Sequence, residues 1–89
     1  MKAIITVVGK DTVGILAKVS TACADANVNI IEVTQSVLQE MFAMTMMVEI
    51  DKDTIGLDAL REKLEEVGKE TCTKIHVMHE DIFNSMHKI

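Results

Sequence analysis

The chain has 89 residues, of which 48% are hydrophobic, and its formal net charge is −5 at pH 7. This length is typical of one domain. The negative charge argues against nucleic acid as the main partner, because binding to phosphates needs a basic surface. The chain start does not resemble a signal peptide, and no apolar run approaches the roughly 20 residues that span a bilayer. We therefore expect a cytoplasmic protein that does not contact membranes.

The first half of the chain predicts a strand, a helix and a strand hairpin. The strands are rich in β-branched and apolar residues, and apolar residues recur at helical spacing between the first two. The ranges are Ala3–Val8 for the first strand, about Val13–Ala26 for the helix, and Val28–Leu38 and Met41–Ile50 for the hairpin. The third range alternates imperfectly, which predicts a bulge. Only Gln39 and Glu40 remain for the turn, so the hairpin is antiparallel.

The second half predicts a helix, a strand and a short helical tail. The helix runs from about Gly56 to Val67, where Gly68 is expected to end it, and the strand runs from Thr71 to His79. Ile82, Phe83, Met86 and Ile89 recur at helical spacing within residues 80–89. An amphipathic tail must cover an apolar surface, so we expect Phe83 and Met86 to pack on the open face of the sheet or on a partner subunit.

The order of elements is β-α-β-β-α-β followed by the tail helix. This order is typical of the α+β ferredoxin-like sandwich, a four-stranded antiparallel sheet with two helices on one face. Many functions use that architecture, so the order alone does not identify one.

The segment between the first strand and the first helix reads G-K-D-T-V-G-I from Gly9 to Ile15. We interpret it as a turn that carries Gly9 and Gly14. Asp11 and Thr12 are residue types that cap helices. The free N–H groups of a helix start also attract anions, so a ligand carboxylate could bind there. The alternative is that the turn only caps its helix.

Two stretches of sequence resemble the ACT domain, a small regulatory module of amino-acid metabolism. They read G-K-D-T-V-G-I-L-A-K-V from Gly9 to Val19 and A-N-V-N-I from Ala26 to Ile30. The resemblance covers residues 1–79 and leaves residues 80–89 as a helical extension. It is closest to bacterial proteins that consist of one ACT domain, and it extends to the ACT-containing repressors of glycine cleavage.

The resemblance implies a homodimer that binds an amino acid near its interface and acts on metabolism or transcription through a protein partner. The ligand would lie against the first turn and the first helix. The matching positions are Asp11, Thr12, Val13, Gly14 and Ile15, together with Asn29, whose amide would contact the ligand. Val13 stands where the family usually has proline, and Asp11 where serine-sensing relatives have asparagine. The alternatives are a dimerisation module without a ligand and a metal-responsive sensor.

Other chemistry finds little support in the sequence. No nucleophile and base pair is evident from spacing, so we expect no catalysis. Arg61 is the only arginine and is not in a phosphate-binding loop, and the predicted sheet lacks the aromatic residues that stack on RNA. His76 and His79 are three residues apart on one strand and should point to opposite faces. With His87 they do not predict a metal site, and no cofactor is expected.

Two cysteines, Cys23 and Cys72, lack the C-x-x-C spacing of redox or metal motifs. In a chain without a signal peptide we expect both as reduced thiols. Cys23 falls on the apolar side of the first helix and is predicted to be a core residue.

Overall fold

A computed structural model of the chain describes residues 1–10, 13–51 and 56–86. Seven elements follow one another in these ranges. They are β1 (Lys2–Lys10), α1 (Ile15–Asp25), β2 (Asn29–Leu38), β3 (Met41–Glu49), α2 (Leu57–Thr71), β4 (Thr73–His79) and α3 (Glu80–Met86). The strands form one sheet in the order β2-β3-β1-β4, and all neighbours are antiparallel. This arrangement confirms the predicted ferredoxin-like sandwich.

The core lies between the sheet and its two long helices. Alternate residues of β1 and β3 point toward α1 and α2, as the period of a strand requires. The buried residues from the strands include Ala3, Ile5, Val7, Phe42, Met44, Met46 and Val48, and those from the helices include Ile15, Val19, Cys23, Leu60 and Leu64. Cys23 is a core residue as predicted. Its burial raises the pKa of the thiol above the usual 9.0, because an apolar environment disfavours the thiolate.

Two glycines expected to serve turns instead permit close packing. Gly9 lies inside β1, and a Cβ atom there would be 2.8 Å from Thr73 Cγ2 and 2.9 Å from Thr73 Cα. The prediction that Gly68 ends α2 was wrong, because the helix continues to Thr71 and its C-cap is Cys72 with φ 57°. A Cβ atom on Gly68 would be 2.9 Å from the carbonyl oxygen of Thr73. Both glycines therefore let the start of β4 approach its neighbours.

The short helix α3 covers part of the sheet face that α1 and α2 leave open. Ile4 lies on that face between Met47 and Met78, yet only 2% of it is exposed. α3 follows β4 directly and contacts both β1 and β4, which accounts for this burial. Phe83 is half-buried, and the side chain of Met86 and residues 87–89 lie outside what the structure describes. A helical tail is thus confirmed over Glu80–Met86.

The two edges of the sheet differ. β2 has the predicted bulge, between Ile30 and Glu32, and every residue from 31 to 41 is exposed. At the other edge, Arg61 Nη2 donates a hydrogen bond of 3.0 Å to the carbonyl oxygen of Val77 in β4. A side chain from α2 thus occupies a main-chain acceptor of that edge strand. No helix in the described ranges is long and apolar enough to cross a bilayer.

Candidate functional site

The turn expected to bind the ligand lies at the end of the sheet where β1 finishes. Gly14 is the N-cap residue of α1 and has φ 89°, a left-handed conformation that glycine adopts without steric cost. Its carbonyl oxygen accepts a hydrogen bond of 2.9 Å from Lys18 N. Having no side chain, Gly14 cannot cap the helix with one. The expected roles of Asp11 and Thr12 fall outside the described residues, and α1 begins at Ile15, two residues later than predicted.

The described part of the turn combines an exposed apolar side chain, that of Val13, with the free N–H groups at the start of α1. The side chain of Val13 is fully exposed, whereas Ile15 is 2% exposed and anchors α1 in the core. The first turn of α1 contains no acidic residue. The partial positive charge of its free N–H groups is therefore not offset by a carboxylate of that turn, which leaves it suited to an anion.

Asn29 lies far from this turn within one chain. It is the first residue of β2, it is exposed, and it pairs with Glu49, which in turn pairs with Lys2. Lys10 and the turn lie at the opposite end of the sheet. The eight residue steps of β1 from Lys2 to Lys10 separate these two ends by about 26 Å along the strand. A single chain therefore does not bring Asn29 to the turn.

The far end of β2 lies at the same end of the sheet as the turn. Leu38 pairs with Met41, and Met41 also pairs with Lys10, the last residue of β1. Along this strand and its hairpin lies a set of exposed large hydrophobic residues, which we call the β2 patch. Its members, with their exposed fractions, are Ile31 (45%), Val33 (38%), Val37 (53%), Leu38 (78%) and Met41 (52%).

The β2 patch was missed in the sequence. Val33, Gln35 and Val37 pair with buried residues of β3 and share the helix face of the sheet. Alternation indicates which face a residue takes, but it does not indicate that an edge strand projects past the helices. The polar residues Glu32 and Thr34 lie on the other side of the strand and are exposed.

The histidines that the structure describes do not converge. His76 pairs with Thr6 on the open face, whereas His79 pairs with Ala3 on the helix face, so their predicted opposite orientation is confirmed. His79 Nδ1 accepts a hydrogen bond of 3.0 Å from Asp81 N at the start of α3. In residues 1–10, 13–51 and 56–86 no three metal-ligating side chains lie together. His87 lies outside these ranges.

Known proteins are similar to this chain in sequence and fold. A UPF0237 protein of Listeria innocua is 44% identical over 89 residues, which cover 100% of both chains. An ACT domain protein from Streptococcus pneumoniae has 42% identity and a TM-score of 0.82, with 93% of each chain covered. The regulatory subunit of aspartate kinase from Thermus thermophilus, in its ligand-free form, has 28% identity and a TM-score of 0.69, with 86% of this chain and 50% of that chain covered. The family model of the ACT domain matches residues 2–78. The chain therefore belongs to the ACT domain family.

Proposed function

We propose that the protein is a non-catalytic regulatory domain that binds a small metabolite, most simply an amino acid, at the interface of a homodimer. It would act on metabolism or transcription through a protein partner. The exposed β2 edge is the observation that carries the proposal. A ten-residue edge strand with free main-chain groups and apolar side chains favours pairing with another strand. The likeness to a regulatory subunit of aspartate kinase supports a role in regulation.

Symmetry supports a ligand site shared between two copies. Two β2 strands related by a two-fold axis perpendicular to the sheet pair in antiparallel orientation. The start of one strand then lies beside the end of the other. Asn29 of one copy would then lie beside the hairpin end of β2 in the second copy, the end of the sheet that also carries the turn at Gly14. The dimer would thus bring to one end of the sheet groups that a single chain holds at opposite ends.

The pattern of side chains favours one register for this pairing. Directly opposite residues of antiparallel strands share a face. With Gln35 on the two-fold axis, Val33 would lie opposite Val37 of the second copy, on the helix face. Two apolar pairs would then flank a pair of amides that can hydrogen-bond to each other. We expect this register.

The chemistry of the turn supports a zwitterionic ligand. The free N–H groups at the start of α1 would bind a carboxylate. The amide of Asn29 from the second copy can both donate and accept hydrogen bonds. Asp11 would accept a hydrogen bond from the ammonium group, as the family resemblance implies for its position.

The dimer is tested by analytical ultracentrifugation of wild type and of Val33→Lys/Val37→Lys. We expect wild type at about twice 9.8 kDa at micromolar concentration in 500 mM salt, and a weakened dimer in the variant. Val8→Lys is the matched control, because Val8 is 44% exposed on the open face. In Gln35→Cys, oxidation should join two copies by a disulfide. If Val33→Lys/Val37→Lys and Val8→Lys both dimerised as strongly as wild type, the β2 interface would be refuted.

The ligand is tested by calorimetric titration of each standard amino acid, and of divalent metals, into wild type. Asn29→Ala and Asp11→Ala should weaken binding of any ligand found. Asn84→Ala is the control, because Asn84 is an exposed residue of α3. Equal affinity in all four proteins would place the ligand elsewhere. A dimer that binds none of these compounds would favour the alternative of a dimerisation module without a ligand.

A further inference from the structure

A groove of about 410 Å³ runs between α1 and α2 on the surface that faces away from the sheet. Its floor is apolar and is formed by Ala17, Ala22 and Val67. Thr21 lies beside them on α1. Because these side chains of α1 are small, a helix from another molecule could pack close to α1. The distance between the two helix axes would then be at the shorter end of the usual 8–10 Å range.

Four charged residues line the same groove in a diagonal arrangement. Lys18 and Asp25 are seven residues apart on α1, and Lys63 and Glu70 have the same spacing on α2. The helices are antiparallel, because α1 begins and α2 ends at the end of the sheet where Gly9 pairs with Thr73. Lys18 therefore lies at the same end of the groove as Glu70, and Asp25 at the same end as Lys63.

These four side chains are available to a partner. Among the residues that the structure describes, none of the four belongs to an ion pair within 4.0 Å. Each lysine has an acid at its own end of the groove, so the groove has no net charge. A simple anion or cation would meet repulsion as well as attraction there, whereas a surface with the reciprocal pattern would meet attraction at every corner.

We propose that this groove is an interface between two copies of the chain, packed helix layer to helix layer. A two-fold axis lying in the interface and along the groove would place Lys18 opposite Glu70 of the second copy, and Asp25 opposite Lys63. An axis across the groove would place Lys18 opposite Asp25 of the second copy, and Lys63 opposite Glu70. Both orientations set opposite charges against each other at all four corners. The interface does not use β2, so it is independent of the β2 dimer.

The test uses the full chain with Val33→Lys/Val37→Lys, in which the β2 edge is blocked. Sedimentation should still detect a dimer at 25 mM salt, and 500 mM salt should weaken it because exposed charges are screened. Lys18→Glu should raise the dissociation constant about tenfold, since it turns two attractive pairs per dimer into repulsive ones. Lys2→Glu is the control, because it makes the same charge change on an exposed residue of β1.

A second substitution distinguishes the two orientations. Lys18→Glu/Glu70→Lys should restore association if the axis runs along the groove, and Lys18→Glu/Asp25→Lys if it runs across. Circular dichroism checks that each variant folds. A monomer at every concentration and salt tested, or a loss that neither double variant restores, would overturn the proposal. The dimer expected for wild type in 500 mM salt forms through β2, so its sedimentation does not depend on the outcome of this test.

Discussion

Gly9→Ala tests whether Gly9, the second-last residue of β1, serves the turn or the packing of the sheet. Alanine in a strand is ordinarily more stable than glycine by about 0.5–1 kcal/mol. Here the new Cβ would lie 2.9 Å from Thr73 Cα and 3.0 Å from the carbonyl oxygen of Cys72, both backbone atoms that cannot rotate away. Overpacking of this kind costs about 1–3 kcal/mol. We expect a net loss of about 1–2 kcal/mol in the free energy of unfolding.

Urea unfolding followed by circular dichroism measures this loss. A domain of this size should also melt about 4–8 °C lower for each kcal/mol lost. Gly56→Ala is the control for adding a methyl group in open space, because nothing lies within 4 Å of its Cβ position. Gly56 is the N-cap residue of α2, so its own loss reports the change of cap and not overpacking. A melting temperature for Gly9→Ala at or above that of wild type would refute the packing argument and favour the turn interpretation.

Three further predictions concern burial. Leu64→Ala should lower the free energy of unfolding by about 2–5 kcal/mol, because Leu64 is fully buried. Leu38→Ala, made in the Val33→Lys/Val37→Lys background at high salt, should change it by less than about 0.5 kcal/mol, because Leu38 is exposed; urea unfolding compares the two. Ile4→Ala should weaken the packing of α3 and increase protease cleavage near residue 80; a wild-type cleavage rate would show that α3 does not depend on Ile4. Cys72 is exposed, whereas Cys23 is buried with a raised pKa, so a thiol reagent should modify Cys72 first; equal rates would contradict the burial of Cys23.

The alternating pattern of the strands predicted the fold well, because a side chain's face follows directly from its position along a strand. It correctly predicted the bulge in β2 and the opposite orientations of His76 and His79. Glycine was interpreted less well. Gly68 was expected to end α2 because glycine often follows a helix, but there the decisive factor is the distance to Thr73, which depends on how α2 packs on β4.

The candidate site could be predicted only in part, for a geometric reason. The family resemblance identified the turn and Asn29 but gave no distance between them. In the structure the two positions lie at opposite ends of the sheet. Whether they act together depends on a second copy, which no pattern within one chain specifies. The groove between α1 and α2 was likewise missed, because Lys18 and Glu70 come to the same end of the groove only through the antiparallel arrangement of the helices.

The difference between the two sheet edges bears on whether copies that pair through their edge strands stop at a dimer or continue to add. If β2 of one copy could add to β4 of the next, each addition would leave another free edge, and the copies would grow into a fibre. The hydrogen bond from Arg61 to Val77 competes with that addition, whereas pairing of β2 with β2 consumes both open edges at once. If this competition is effective, Arg61 would limit growth by strand addition at the β4 edge. Replacing it with a residue too short to reach the strand should make the protein more prone to polymerise at high concentration.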